Sequence, residues 1–234
     1  ANPSKDARDI DRLLGDLGFE VNRVLHADGG ELRDGIAQFE KDAKDADVAL
    51  IYYSGHGIEA KGQNFIAPTD TDLSSPASAG VSMIAGQPIL DELAKVAPVS
   101  IVLLDACRSD PFPAGQMIVL PGETAPTPVE GQGLAAIRGP MPVARKALDP
   151  DSFGTVIGFS ASPGEPALDG APGENSPYAA ALLKHFAAGG YSFGDVMTMV
   201  GEEVYLKTRA RQLPWTNSSL RRVLTFDAPA AESD

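Results

Sequence analysis

Cysteine is all but missing from this chain: one residue, Cys107, in 234. A single thiol excludes a disulfide framework and any zinc site built on cysteines. Histidine is confined to three positions, 26, 56 and 185. Basic residues are short as well, 19 Lys and Arg against 32 Asp and Glu, for a net charge of −13. Nothing here would neutralise phosphates in bulk, which argues against nucleic acid as a partner. No apolar run approaches the roughly 20 residues of a membrane span, and no signal peptide opens the chain. The expectation is no membrane partner and a cytoplasmic location. The first residue is Ala1 rather than Met, which predicts a processed or trimmed product with residues lost upstream. What is present is ample: 234 residues, 43% of them hydrophobic, suit one α/β domain with a full core.

Apolar periodicity alternates between helix and strand. Ile10, Leu13, Leu14 and Leu17 fall at helical spacing and stop at Gly18, a helix with its C-cap. Residues 19–25 then read as a short strand. Leu32, Ile36 and Phe39 make a second amphipathic helix. The run 47–53 is apolar nearly throughout, as a strand covered on both faces should be. Ile89, Leu90, Leu93 and Val96 form a third helix, and Pro98 separates it from a second buried strand at 99–104. Residues 108–150 are crowded with Pro and Gly and show no period, which predicts a long surface loop, disordered in part. Order resumes with a strand at 155–160. Ser176-Pro177 opens one helix and Ser192, with Asp195 three later, opens another. Residues 222–226 read as a closing strand. There is no internal repeat. Alternating strands and helices imply a mainly parallel sheet with helices on both faces.

In such sheets functional residues collect past the carboxyl ends of the strands. Ser54-Gly55-His56-Gly57 follows the first buried strand and Asp105-Ala106-Cys107-Arg108 follows the second. If the strands are neighbours, His56 and Cys107 share one rim. A thiol needs a base or an electropositive setting to ionise near neutral pH, and imidazole is the usual partner. Glycines beside His56 allow close approach of a substrate backbone. The N–H groups of Gly57 and Cys107 are then candidates for an oxyanion hole, completing the parts for acyl transfer. Alone, a cysteine at a strand end is more often a small buried hydrophobe. A histidine in a turn is more often incidental, as His26 after an edge-like strand and His185 on an exposed helix face are read. The pair after two consecutive buried strands is far more specific.

The runs Tyr52-Tyr53-Ser54-Gly55-His56-Gly57 and Leu103-Leu104-Asp105-Ala106-Cys107-Arg108 resemble the caspase-like cysteine peptidases, and among them the bacterial metacaspases, or orthocaspases. The His-to-Cys separation of 51 residues agrees with the spacing of about 50 in caspases. Asn2 to Ala7, Ser160 to Gly170 with Asn175 to Tyr178, and Leu213-Pro214-Trp215 with Ser219-Leu220, which resemble the family's closing strand region, extend the resemblance over most of the chain. It implies a three-layer α/β fold, a mainly parallel central sheet flanked by helices, as one domain over 1–234. Residues 1–107 would be the large-segment part, 108–150 a linker-like loop and 151–234 the small-segment part. It also implies a cysteine endopeptidase using His56 and Cys107 with no required cofactor. Two departures stand out. The Cys turn reads Asp-Ala-Cys-Arg-Ser rather than Gln-Ala-Cys-Arg-Gly, and the apolar strand with which the family begins is missing before Asn2. A second polypeptide supplying that strand, a re-paired sheet, or a damaged molecule are the alternatives.

The same resemblance implies the substrate. Asp105, two before Cys107, matches the carboxylate that binds Arg or Lys before the cut in metacaspases, and Asp6 matches a second. Glu165 falls near a third, Asp169 lies in the same loop, and Ser160 opens that segment on the substrate-binding side. The plainer readings are a first-turn helix acid for Asp6, a turn acceptor for Asp105, and solvated loop acids for Glu165 and Asp169. Many metacaspases respond to calcium, for which Asp70 and Asp72 are candidate ligands, without the spacing of a known calcium loop. Self-cleavage in 108–150 would fall at Arg138, Arg145 or Lys146. The rival functions are a non-catalytic signalling or scaffold module and a caspase-like peptidase preferring aspartate.

Overall fold

The computed structural model describes residues 2–60, 63–72, 74–107, 117–121, 123–128, 152–162 and 167–226. The chain runs through α1 (Pro3–Asp16), α2 (Gly29–Asp42), β1 (Val48–Ala60), β2 (Gln63–Ala67), α3 (Pro76–Ser82), β3 (Ile84–Ala85), α4 (Gly86–Val96) and β4 (Val99–Cys107). It continues through β5 (Met117–Ile118), β6 (Thr127–Pro128), β7 (Gly154–Phe159), α5 (Pro177–Ala187), α6 (Phe193–Lys207) and β8 (Trp215–Ser218). The principal sheet has the order β3-β2-β1-β4-β7-β8. Its centre, β1, β4 and β7, is parallel, and the strands toward both edges attach antiparallel.

Alternation along the central strands builds two cores. Val99, Ile101 and Leu103 of β4 turn to one face and join Ile10 and Leu13 of α1, Leu182 and Phe186 of α5, and Val196 and Val200 of α6. Val102 and Leu104 turn to the other face, with Leu93 of α4 and Phe39 of α2. A strand with apolar residues on both faces lies between two layers of helices, which is why β1 and β4 read as continuous apolar runs.

Four expectations need correction. Residues 19–25 carry no strand: no ladder joins them to β1 or to any other described strand. The closing strand is β8 rather than 222–226. Leu224 is buried in the main core and Phe226 stacks on Phe19, Phe186 and Phe193, so that segment packs by its side chains, with a single bridge from Thr225 to Ser192. Ser54 to Gly57 are not a turn but lie inside β1, which runs on to Ala60, and Asp105 to Cys107 are the last residues of β4, with Arg108 outside the described residues. Part of 108–150 is not a surface loop: β5 and β6 pair, and Ile118 and Leu120 are buried with Phe65, Ala79 and Met83. Gly80 makes that contact possible, since a Cβ there would stand 1.7 Å from the Val119 carbonyl oxygen.

Candidate active site

β1 and β4 run parallel and in register from Val48 opposite Val99 to His56 opposite Cys107, where their pairing ends. Adjacent strands are about 5 Å apart, so the only cysteine and His56 are backbone neighbours at the open end of the sheet. The His56 side chain is exposed. Its backbone is held from behind, because the Tyr53 hydroxyl donates to the His56 carbonyl at 2.7 Å. Gly57 follows at once, opposite Ile66 of β2. A Cβ at Gly57 would come within 3.0 Å of the Phe65 carbonyl oxygen and 3.4 Å of the Ala106 side chain, so the position is tight against β2 and β4.

Behind this rim lie two buried carboxylates, Asp6 at 1% exposure and Asp105 at 5%. Asp6 comes from the first turn of α1. One of its oxygens accepts from the Ser54 hydroxyl at 3.2 Å, and the other from the Asn175 amide at 3.0 Å and the Ser176 N–H at 3.1 Å. Asp105 accepts from the Tyr52 hydroxyl at 3.0 Å and from the Ser176 hydroxyl. Ser176 thus touches both acids while its own oxygen caps α5 by accepting from Ala179 N–H at 2.9 Å. Burial pushes the Asp105 carboxyl up to about 7. The bond from Ser176 works against this, the neighbouring Asp6 charge adds to it, and the bonds from Tyr52 and Ser160 oppose it. Burial also raises Asp6, opposed by Ser176, Asn175, Ser54 and the Lys5 ammonium. Tyr52, partly buried beside Asp105, is held well above its usual range by desolvation and by the charge of Asp105, and stays a donor. Both acids are thus pushed toward their neutral forms, and a cation placed beside them would favour ionisation.

The structure therefore brings Asp6, Asp105 and Ser160 to the same end of the sheet as His56 and Cys107. Ser160 follows β7, and its N–H bonds Leu104 of β4. Its carbonyl accepts from the buried Gln212 amide at 2.7 Å, and Gln212 also takes the N–H of Leu168, fixing the ends of the loop between them. Glu165, in that loop, lies outside the described residues, as do Arg138, Arg145 and Lys146. Asp169 is exposed, and its carbonyl is held by the Asn2 amide at 2.6 Å. Asp70 and Asp72 are exposed and accept from the N–H groups of Gly29 and Ser74. Among the described residues no three His, Cys, Asp or Glu side chains converge on a metal position. His185 is not on an exposed face as expected: it is largely covered and bonds Glu203 at 2.6 Å. Sequence reasoning missed Tyr52, Tyr53, Asn175, Ser176 and Gln212. Tyr52, Tyr53, Asn175 and Ser176 stand in runs that carry the family resemblance, without any role of their own beyond the cap at Ser176, and Gln212 gave no signal.

A six-stranded sheet between two helical layers, with a histidine and a cysteine side by side where the pairing of two parallel strands ends, defines a caspase-like architecture. The solved structure of caspase-1 from Spodoptera frugiperda superposes with a TM-score of 0.64 at 18% identity, over 96% of this chain and 82% of that one. At that identity the likeness speaks for the fold. The chain belongs to the caspase domain family, whose sequence model matches residues 1–225. Curated proteins give no match. This is a caspase-like peptidase domain, and among its described residues no helix is long and apolar enough to cross a membrane.

Proposed function

We infer that the domain is a cysteine endopeptidase that cuts polypeptides after Arg or Lys, with Cys107 as nucleophile and His56 as its proton partner. One observation carries this: the β1–β4 register sets the sole cysteine opposite His56, two residues beyond Asp105 on the same strand. The Cys107 thiol gives its proton to the imidazole and the thiolate adds to the scissile carbonyl carbon. The carbonyl electron pair moves to oxygen, which the N–H groups of Gly57 and Cys107 hold. Collapse expels the amine, which takes its proton from the imidazolium. Water then adds to the thioester, gives a proton to His56, and releases the new carboxyl end and the thiol. No cofactor enters.

Asp105 and Asp6 set the preference. Arg offers two parallel N–H donors to a carboxylate, and Lys a single charge. An aspartate side chain in the same pocket would meet like charge, a penalty of several kcal/mol. Ser160, Asp169 and Glu165 belong to the segment that would flank this side chain. Self-cleavage at Arg138, Arg145 or Lys146 would follow from the same preference.

A positional peptide library assayed with wild type and two variants is the test. Cys107→Ala should abolish cleavage and His56→Ala should lower it by orders of magnitude, because the two act as a unit. Rapid labelling of Cys107 by a thiol reagent at neutral pH separates an enzyme from a module that keeps only the fold. Near-wild-type cleavage by Cys107→Ala, or an aspartate preference, would overturn the assignment.

A further inference from the structure

Two ladders change over at His56. It is the last residue of β1 to pair with β4, opposite Cys107, and the first to pair with β2, opposite Ala67. Side chains of β1 alternate between the two cores. Val48, Leu50 and Tyr52 pack with α1, α5 and α6, whereas Ala49 and Ile51 pack with α2 and α4. Carried onward, the alternation puts Ser54 and His56 on the first face, where Tyr52 and Ser54 bond the two acids. Tyr53, Gly55 and Gly57 fall on the second. The imidazole and the Tyr53 ring therefore leave opposite sides of one strand.

Tyr53 still reaches the His56 backbone. Its hydroxyl donates to the His56 carbonyl oxygen at 2.7 Å and stands 3.4 Å from the carbonyl oxygen of Ala67, the residue opposite on β2. With one proton to give, it serves the nearer acceptor. A side chain reaches three residues along its own strand only by lying flat against it, and Gly55 is what permits this. A Cβ at Gly55 would stand 2.6 Å from the Tyr53 hydroxyl oxygen and 2.9 Å from the ring carbon that bears it. The room that Gly55 leaves is thus taken by this ring rather than by a substrate backbone. Desolvation holds the Tyr53 hydroxyl above its usual range, so it stays a donor at neutral pH.

We propose that Tyr53 is a positioning residue for His56: its hydroxyl, laid across Gly55, fixes the His56 peptide group and with it the direction in which the imidazole leaves the strand beside Cys107. The His56 side chain is exposed, so packing does not hold it and its aim has to come through the backbone. That backbone lies where the β4 ladder stops, and the ends of ladders open most readily. A bond from the far face holds this rung without entering the space where substrate reacts. The kinetic part of the proposal rests on the peptidase reading, in which an error of 1 Å in the proton partner costs up to about a hundredfold in rate.

The test is Tyr53→Phe in the 234-residue chain, which keeps the ring over Gly55 and deletes only the bond. With an Arg peptide as substrate, kcat should fall about tenfold while KM stays within about twofold. The second readout does not need cleavage: the carbon-bound ring proton of His56 in NMR spectra, assigned by its loss in His56→Ala. It should be one sharp line in the wild type and broadened or doubled in Tyr53→Phe, with the lines of His26 and His185 unchanged. Gly55→Ala keeps the hydroxyl but displaces it, and should reproduce the altered His56 line. An unchanged His56 line in Tyr53→Phe overturns the proposal whatever the kinetics do, and so does an unchanged kcat in a chain that cleaves. Equal changes at His26 and His185 would reduce Tyr53 to a general structural role, which also overturns it. A wild type that cleaves no peptide defeats the peptidase reading instead, and the His56 line still decides the positioning claim.

Discussion

Asp105 carries the sharpest consequence at the scale of single residues. Its carboxyl titrates near 7 because it is buried, with the Asp6 charge adding to the shift. The two acids share Ser176, so the titration belongs to the pair. Between about pH 4 and pH 7 the folded protein keeps a proton that the unfolded chain has already lost. Stability from this source is fullest at acid pH, falls as pH rises through that window and levels off above it. On the proposed reading, binding of a substrate cation would run the other way, since it would need the ionised form. The kcat/KM for Arg and Lys peptides should therefore climb with pH up to about 7. Asp105→Asn should flatten the stability slope in denaturant titrations and cut kcat/KM strongly, while labelling of Cys107 by a small thiol reagent is kept. A slope that persists in Asp105→Asn would place the titration elsewhere. His56 and Cys107 are legible in the sequence because each follows an apolar run that can only be a buried strand. The roles of Tyr52, Asn175 and Ser176 are not, although the resemblance runs through all three, because each acts on an acid 53 to 170 positions away.

Among the elements, α5 shows how local and distant order are joined. Ser176 caps it and grips Asp105 and Asp6 at the same time. Ser176→Ala should cost about 1–3 kcal/mol, a lost cap plus a lost bond to a buried acid. It should also move the rise of kcat/KM to higher pH, because the bond it removes favours the charged form of Asp105. Chemical denaturation and the pH profile check the two effects separately; an unchanged profile would confine Ser176 to capping. Helices α1, α2, α4, α5 and α6 were legible, since spacing and caps are written locally. Strand edges were not. β8 has four exposed residues, Trp-Thr-Asn-Ser, and no alternation of its own; it is a strand because β7 offers an edge. Residues 222–226 do alternate, yet Leu224 and Phe226 find apolar neighbours without a ladder. The β5–β6 hairpin hides among prolines, and only the burial of Ile118 and Leu120 reveals it as part of a core.

The molecule as a whole is divided by sequence but not by contact. β4, which precedes residue 108, and β7, which follows residue 151, pair over six positions from Val99 opposite Gly154 to Leu104 opposite Phe159. Ile10 and Leu13 share a core with Tyr178 and Leu182. Asp6 and Asp105 precede residues 108–150, and Asn175 and Ser176 follow them. A nick placed near residue 140 by a foreign protease at an engineered site should therefore leave two fragments that elute together at the volume of the intact chain. They should part only in denaturant, and separation under native conditions would show that the shared sheet and core do not suffice. Continuity of the backbone is then needed to bring the halves together but not to keep them so, and each half would become the obligate subunit of the other.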